Sequence, residues 1–85
     1  MSKAREREFA LIWIIEAVDR ALEEYDASTI FVVRNPETAM FDVVYFDGYN
    51  SFAVESNVSN PAYICRYDVE VLAREMQARH VSVNQ

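Results

Sequence analysis

The stretch Met40-Phe41-Asp42-Val43-Val44-Tyr45-Phe46-Asp47-Gly48 decides the fold. Its aromatic and β-branched residues predict a strand over 40–46. The Asp47-Gly48 pair that follows predicts a hairpin, because a type I′ turn needs positive φ at both central residues. It also uses the chain's one glycine where glycine costs least. Upstream, Thr29-Ile30-Phe31-Val32-Val33-Arg34 reads as a strand that is apolar on both faces, and so central or well covered. Between the two strands, Asn35-Pro36-Glu37-Thr38 is a turn: proline presets φ, and asparagine bonds its own backbone two residues on. Downstream, Asn50 to Glu55 predicts an edge strand with Phe52 and Val54 on one side and Ser51, Ala53 and Glu55 on the other.

A long helix precedes the strands, over residues 3–25, with Ser2 as its N-cap and no glycine or proline inside. At about 100° per residue, Leu11, Ile15, Val18, Leu22 and Tyr25 fall on one side, flanked by Ile14 and Ala21. They form the expected core stripe. After the strands, Asn57 to Pro61 reads as a loop, and Ala62 to Cys65 as either a short fourth strand or a lead-in. A second helix is expected from Asp68 to about His80, apolar at Val69, Leu72, Ala73 and Met76, with Glu70–Arg74 and Glu75–Arg79 spaced as i,i+4 pairs. A three-stranded meander cannot bury a face alone. The fold class expected is therefore α+β: one domain over residues 1–85, a two-layer sandwich of order α-β-β-β-α with both helices on one face of an antiparallel sheet.

With 85 residues, 52% of them hydrophobic, the chain is long enough for one core. Eight basic against fourteen acidic residues give −6, spread over the whole length rather than gathered in a tail. That balance disfavours direct binding to nucleic acid or to an anionic membrane and favours a partner with a basic surface. A single cysteine, Cys65, rules out an internal disulfide and suggests a reducing, cytoplasmic setting. In such a setting the Asn57-Val58-Ser59 sequon carries no glycan. The longest apolar run, Phe9 to Ile15, is seven residues, too short to span a bilayer.

No motif for catalysis or cofactor binding stands out. A lone Cys65 and a lone His80 make a weak nucleophile and base, and two such residues cannot build a structural zinc site. Asp42, Asp47 and Glu55 carry oxygen ligands but lack the alternating acidic loop of a calcium site, so no metal and no cofactor are expected. One glycine excludes both phosphate-binding glycine loops. Double-stranded RNA-binding domains share this order of elements, but they place lysines at the start of the last helix, where this chain has Arg66-Tyr67-Asp68-Val69-Glu70. The electrostatics are opposite, and RNA binding is rejected. Alternation places Asp42 opposite Phe41, Val43 and Tyr45, so if that trio faces the core Asp42 is a surface residue.

What packing does not obviously need lies on helix one. Phe9 and Trp13 project at about 160° and 200° from Leu11, and Ile12 at about 100°. Beside them Glu16, Asp19 and Glu23 recur at i, i+3 and i+7 as an acidic row. Either the segment with Val81 and Val83 folds back over the aromatic pair, or a protein contact does. The reading favoured is a small, acidic, non-enzymatic protein-binding module, of an inhibitor, immunity or phage anti-defence kind. It would use Phe9, Ile12, Trp13, Glu16, Asp19 and Glu23 to occupy a basic, nucleic-acid-binding type of surface, with Asp42, Asp47 and Glu55 as secondary candidates. One alternative is a homo-oligomeric structural or regulatory protein, a homodimer through helix one. Another is a small ligand-binding domain or enzyme built on Asp42, Tyr45, Tyr49 and His80.

Overall fold

The computed structural model describes residues 3–59 and 66–84, with backbone alone at 3–9, 66–69 and 82–84. The expected α+β order is observed: α1 (Lys3–Leu22), β1 (Ile30–Arg34), β2 (Phe41–Phe46), β3 (Ser51–Ser59), α2 (Arg66–Ala78) and β4 (Ser82–Asn84). The first three strands form an antiparallel meander, and β4 joins the other side of β1 in parallel, giving the order β3-β2-β1-β4. The strand apolar on both faces is thus central. The candidate strand at 62–65 lies outside the described residues, as does the Ser2 cap.

Both helices contribute to one core with one face of the sheet. Ile14, Ala17, Val18 and Ala21 of α1 and Leu72 and Met76 of α2 pack with Ile30, Val32, Phe41 and Val43. The stripe on α1 differs from expectation in its centre. Ala10, Ile14, Ala17, Val18 and Ala21 are the buried positions, while Leu11, Ile15, Leu22 and Tyr25 pack from the flank. On a helical wheel this turns the inward direction by roughly 75°, because alanines let the helix backbone approach the sheet. On α2, Ala73 is exposed rather than inward, while Leu72 and Met76 are buried.

Two turns follow their residue chemistry closely. Asn35 Oδ1 accepts the N–H of Glu37 at 2.9 Å, as an Asx turn requires, and the N–H of Asn35 bonds the carbonyl of Met40 at 2.8 Å to close the loop. At the hairpin, only Gly48 takes a positive φ, +100°, so the central pair is Gly48-Tyr49 and not Asp47-Gly48. Glycine first, as in a type II′ turn, suits the strand twist equally well. Asp47 instead sits at the end of β2, where its Oδ1 accepts the N–H groups of Tyr49 and Asn50 at 2.8 and 2.7 Å.

The third strand departs most from simple alternation. Its register against β2 slips twice: Val43 pairs with Glu55 but Val44 with Ala53, and Phe41 pairs with Ser59. The first slip is a bulge that keeps Val54 and Glu55 on the same, helical side. There Val54 packs on the core and Glu55 reaches α1. The second slip lets the strand run on to Ser59 where a loop was expected, with Asn57 in left-handed backbone at φ 55°.

Helix α2 ends on a Schellman turn. Val81 N–H bonds Met76 O at 2.8 Å and His80 N–H bonds Gln77 O at 3.0 Å, with His80 at φ 58°. Val81 then packs in the core beside Met76, the hydrophobic contact usual in this motif. This turn aims the chain along β1, so the segment considered as a cover for α1 becomes β4, with Val32 opposite Val83 in the sheet.

Candidate functional site

The outward direction of α1 follows from the inward one. Opposite the buried alanines, a 100° wheel places Ile12, Glu16, Asp19 and Glu23, with Trp13 on the flank. Burial agrees: Ile12 is 37% and Trp13 51% exposed, and all three acids are exposed. The acidic row is the solvent face of α1, and an isoleucine lies at its head. Phe9 lies on the same helix, in the part where the backbone alone is described.

The acids are not equivalent. Arg79, in the turn that follows α2, bonds Asp19 Oδ1 through Nε at 3.1 Å, and Glu75 Oε2 of α2 through Nη1 at 2.9 Å. Both contacts hold the guanidinium above its ordinary pKa, Glu75 foremost. Asp19 therefore ties the two helices together, leaving Glu16 and Glu23 as the outward charges of the row. On the other flank Arg20 makes a two-pronged bond with Glu55 of β3, at 2.6 and 2.9 Å. That bond, with smaller help from Glu16 and Glu23, raises the Arg20 pKa. Glu55, a secondary surface candidate, is thus an internal strap between helix and sheet.

The other two secondary candidates are also engaged. Asp42 lies on the face away from the helices, as alternation predicts, yet it is 7% exposed and buried, which corrects its reading as a surface residue. Its Oδ1 accepts the N–H of Asn57 at 2.8 Å and its Oδ2 a proton of Asn35 Nδ2 at 3.0 Å. The slip in β3 and the turn after β1 both fold over the carboxylate. Asp47 caps the hairpin, and its bonds to the backbone of Asn50 and Tyr49 and to the Tyr45 hydroxyl lower its pKa from 3.8 to about 2.

The alternative set of Asp42, Tyr45, Tyr49 and His80 is not brought together. Tyr45 points to the helical side, where its ring stacks on Phe52 at 4.9 Å and meets Tyr25 at 5.1 Å, opposite in face to Asp42. Tyr49 is 95% exposed at the hairpin tip, and His80 is in the turn after α2. Cys65 lies outside the described residues. Among the described residues, no three carboxylate, imidazole or thiol side chains are grouped as metal ligands, and no helix is long and apolar enough to cross a membrane.

The chain matches no known family, no curated protein and no solved structure.

Sequence reasoning missed one surface. The face of the sheet turned away from the helices carries Phe31, Val33, Val44 and Phe46, which with Ser51 line a shallow depression of about 420 Å³. The signal was present in β1, apolar at every position from Ile30 to Val33, a pattern typical of strands covered on both faces.

Proposed function

We propose that this protein is a small acidic, non-enzymatic binding module acting in the cytoplasm, of the inhibitor, immunity or anti-defence kind, which sets the outer face of α1 on a basic surface of a larger protein. The observation that carries the reading is the exposure of Ile12 and Trp13 at the head of the row formed by Glu16 and Glu23. An apolar anchor beside same-sign charges fits a partner whose own surface has an apolar recess bordered by lysines or arginines. The anchor supplies affinity and the charges supply rate and selectivity. The same row opposes a symmetric contact through α1, since a twofold axis there would set Glu16 and Glu23 against their own copies.

The test is affinity capture from the host of origin, with wild type and a Trp13→Asp/Glu16→Lys/Glu23→Lys variant run side by side. A partner held by wild type, released by rising salt and lost in the variant supports the reading. No partner, or one recovered equally by both, overturns it.

A further inference from the structure

We infer that the outer face of the sheet is a twofold contact between two copies of this chain. Three observations bear on it, and all are independent of α1.

The first is the pattern of β1 and β2. Phe31 and Val33 stand on the outer face as Ile30 and Val32 stand on the inner one, and Val44 is paired with Phe31 across the strands. These strands have the composition of a sheet buried on both sides. The helices cover one side, and among the described residues no helix or strand lies over the other.

The second is charge. The chain carries a net −6, so two copies repel wherever their ionised surfaces meet. The paired strand positions of the outer face contribute little to that repulsion. Among the described residues, the pairings put Phe31, Val33, Val44, Phe46, Ser51 and Ala53 on it, none of them ionisable, while Asp42 on the same face of β2 is buried and bonded to Asn35 and Asn57. The sequence of β4, Ser82-Val83-Asn84, adds no ionisable group at the far edge. A partner chosen by complementary charge finds nothing here to read, whereas an acidic chain meeting itself needs a neutral face.

The third is relief. The rings of Phe31 and Phe46 meet edge to face at 6.3 Å, and the depression they border with Val33, Val44 and Ser51 is open to solvent. A face with both a ridge and a hollow can serve as its own complement under a twofold rotation. Two sheets stacked this way stand about 10 Å apart and produce a helix-sheet-sheet-helix sandwich.

Sedimentation equilibrium on the full chain tests this, with Phe46→Glu, Ser51→Glu and Trp13→Glu variants. Wild type is expected to rise with concentration to twice the mass of one chain, and to do so more readily in higher salt, which screens the net repulsion. Phe46→Glu is expected to weaken association by about thirtyfold or more, the effect of losing an interface anchor. Ser51→Glu, which sets like charges across the axis without removing an apolar group, serves the same purpose should circular dichroism show Phe46→Glu unfolded. Trp13→Glu is expected to associate as wild type does. A wild-type chain that stays monomeric, association that survives a charge at position 51, or loss of association in the Trp13 variant alone overturns the inference.

Discussion

The carboxylate of Asp42 on β2 accepts the backbone N–H of Asn57 on β3 at 2.8 Å, across the point where the two strands slip out of register. An N–H displaced from the ladder has lost its strand partner, and the acid replaces it. Asp42→Ala leaves that donor, and Asn35 Nδ2, without an acceptor in a part-buried setting. We expect a loss of about 2–3 kcal/mol in urea unfolding. Asn35→Ala removes the second bond and its turn but leaves Asn57 satisfied, and should cost nearer 1 kcal/mol. Equal losses would show that the slip does not depend on the acid.

His80 occupies the turn position after α2 that glycine usually fills, at φ 58°. Its side chain is exposed, so its removal costs little packing. His80→Gly should relieve the left-handed strain and stabilise the fold by about 0.5–1 kcal/mol, read as a shift in denaturation midpoint at constant slope. The opposite exchange at the hairpin, Gly48→Ala, puts a side chain at φ +100° and should destabilise by at least about 1 kcal/mol, although nothing crowds the site.

Acid stability should carry the signature of Asp47. Its pKa is lowered from 3.8 to about 2 by the N–H groups of Asn50 and Tyr49 and by the Tyr45 hydroxyl. A depressed carboxylate contributes its stability fully above the unfolded value and loses it as pH falls through the folded one. The melting temperature of wild type should therefore drop between the two values, 3.8 and about 2. Asp47→Asn should flatten that part of the curve. Parallel curves for the two proteins would contradict the assignment.

The acids of α1 should separate by role. Asp19→Asn breaks a contact with Arg79 that is half open to solvent, and should cost stability only about 0.5 kcal/mol, given screening. Glu16→Lys and Glu23→Lys should leave the melting temperature nearly unchanged yet slow association with the captured partner. Trp13→Ala should cost that complex about 2 kcal/mol or more, read by titration calorimetry.

The element order was legible because local chemistry dictates it: strands of β-branched and aromatic residues, Pro36 and Asn35 at one reversal, Gly48 at the other. What escaped depends on contacts between distant positions. At the slip, the freed N–H of Asn57 is satisfied by Asp42, fifteen positions earlier, and no local pattern at 56–58 announces it. The three residues of β4 are too few to show a period, and they reach the sheet only because the turn at His80 aims them there. The rotation of the α1 core was readable in principle, since Ala10, Ile14, Ala17 and Ala21 recur at i, i+4, i+7 and i+11. Weighting by side-chain size hid it: alanine buries little area but permits the closest approach. The rotation puts Ile12 nearer the outward direction of α1 than Trp13, although Trp13 is the more exposed of the two.

The parallel pairing of β4 with β1 also orders events in time. Phe31 meets Ser82, 51 positions later in the chain, while β2 closes onto β1, and β3 onto β2, through short loops. Until α2 has formed and delivered its successor, the most apolar strand of the protein keeps one row of amide and carbonyl groups without a neighbour. Such an edge invites pairing with other nascent chains. Docking of three residues covers that edge, so a chain lacking them is expected to be the more prone to pair with its neighbours.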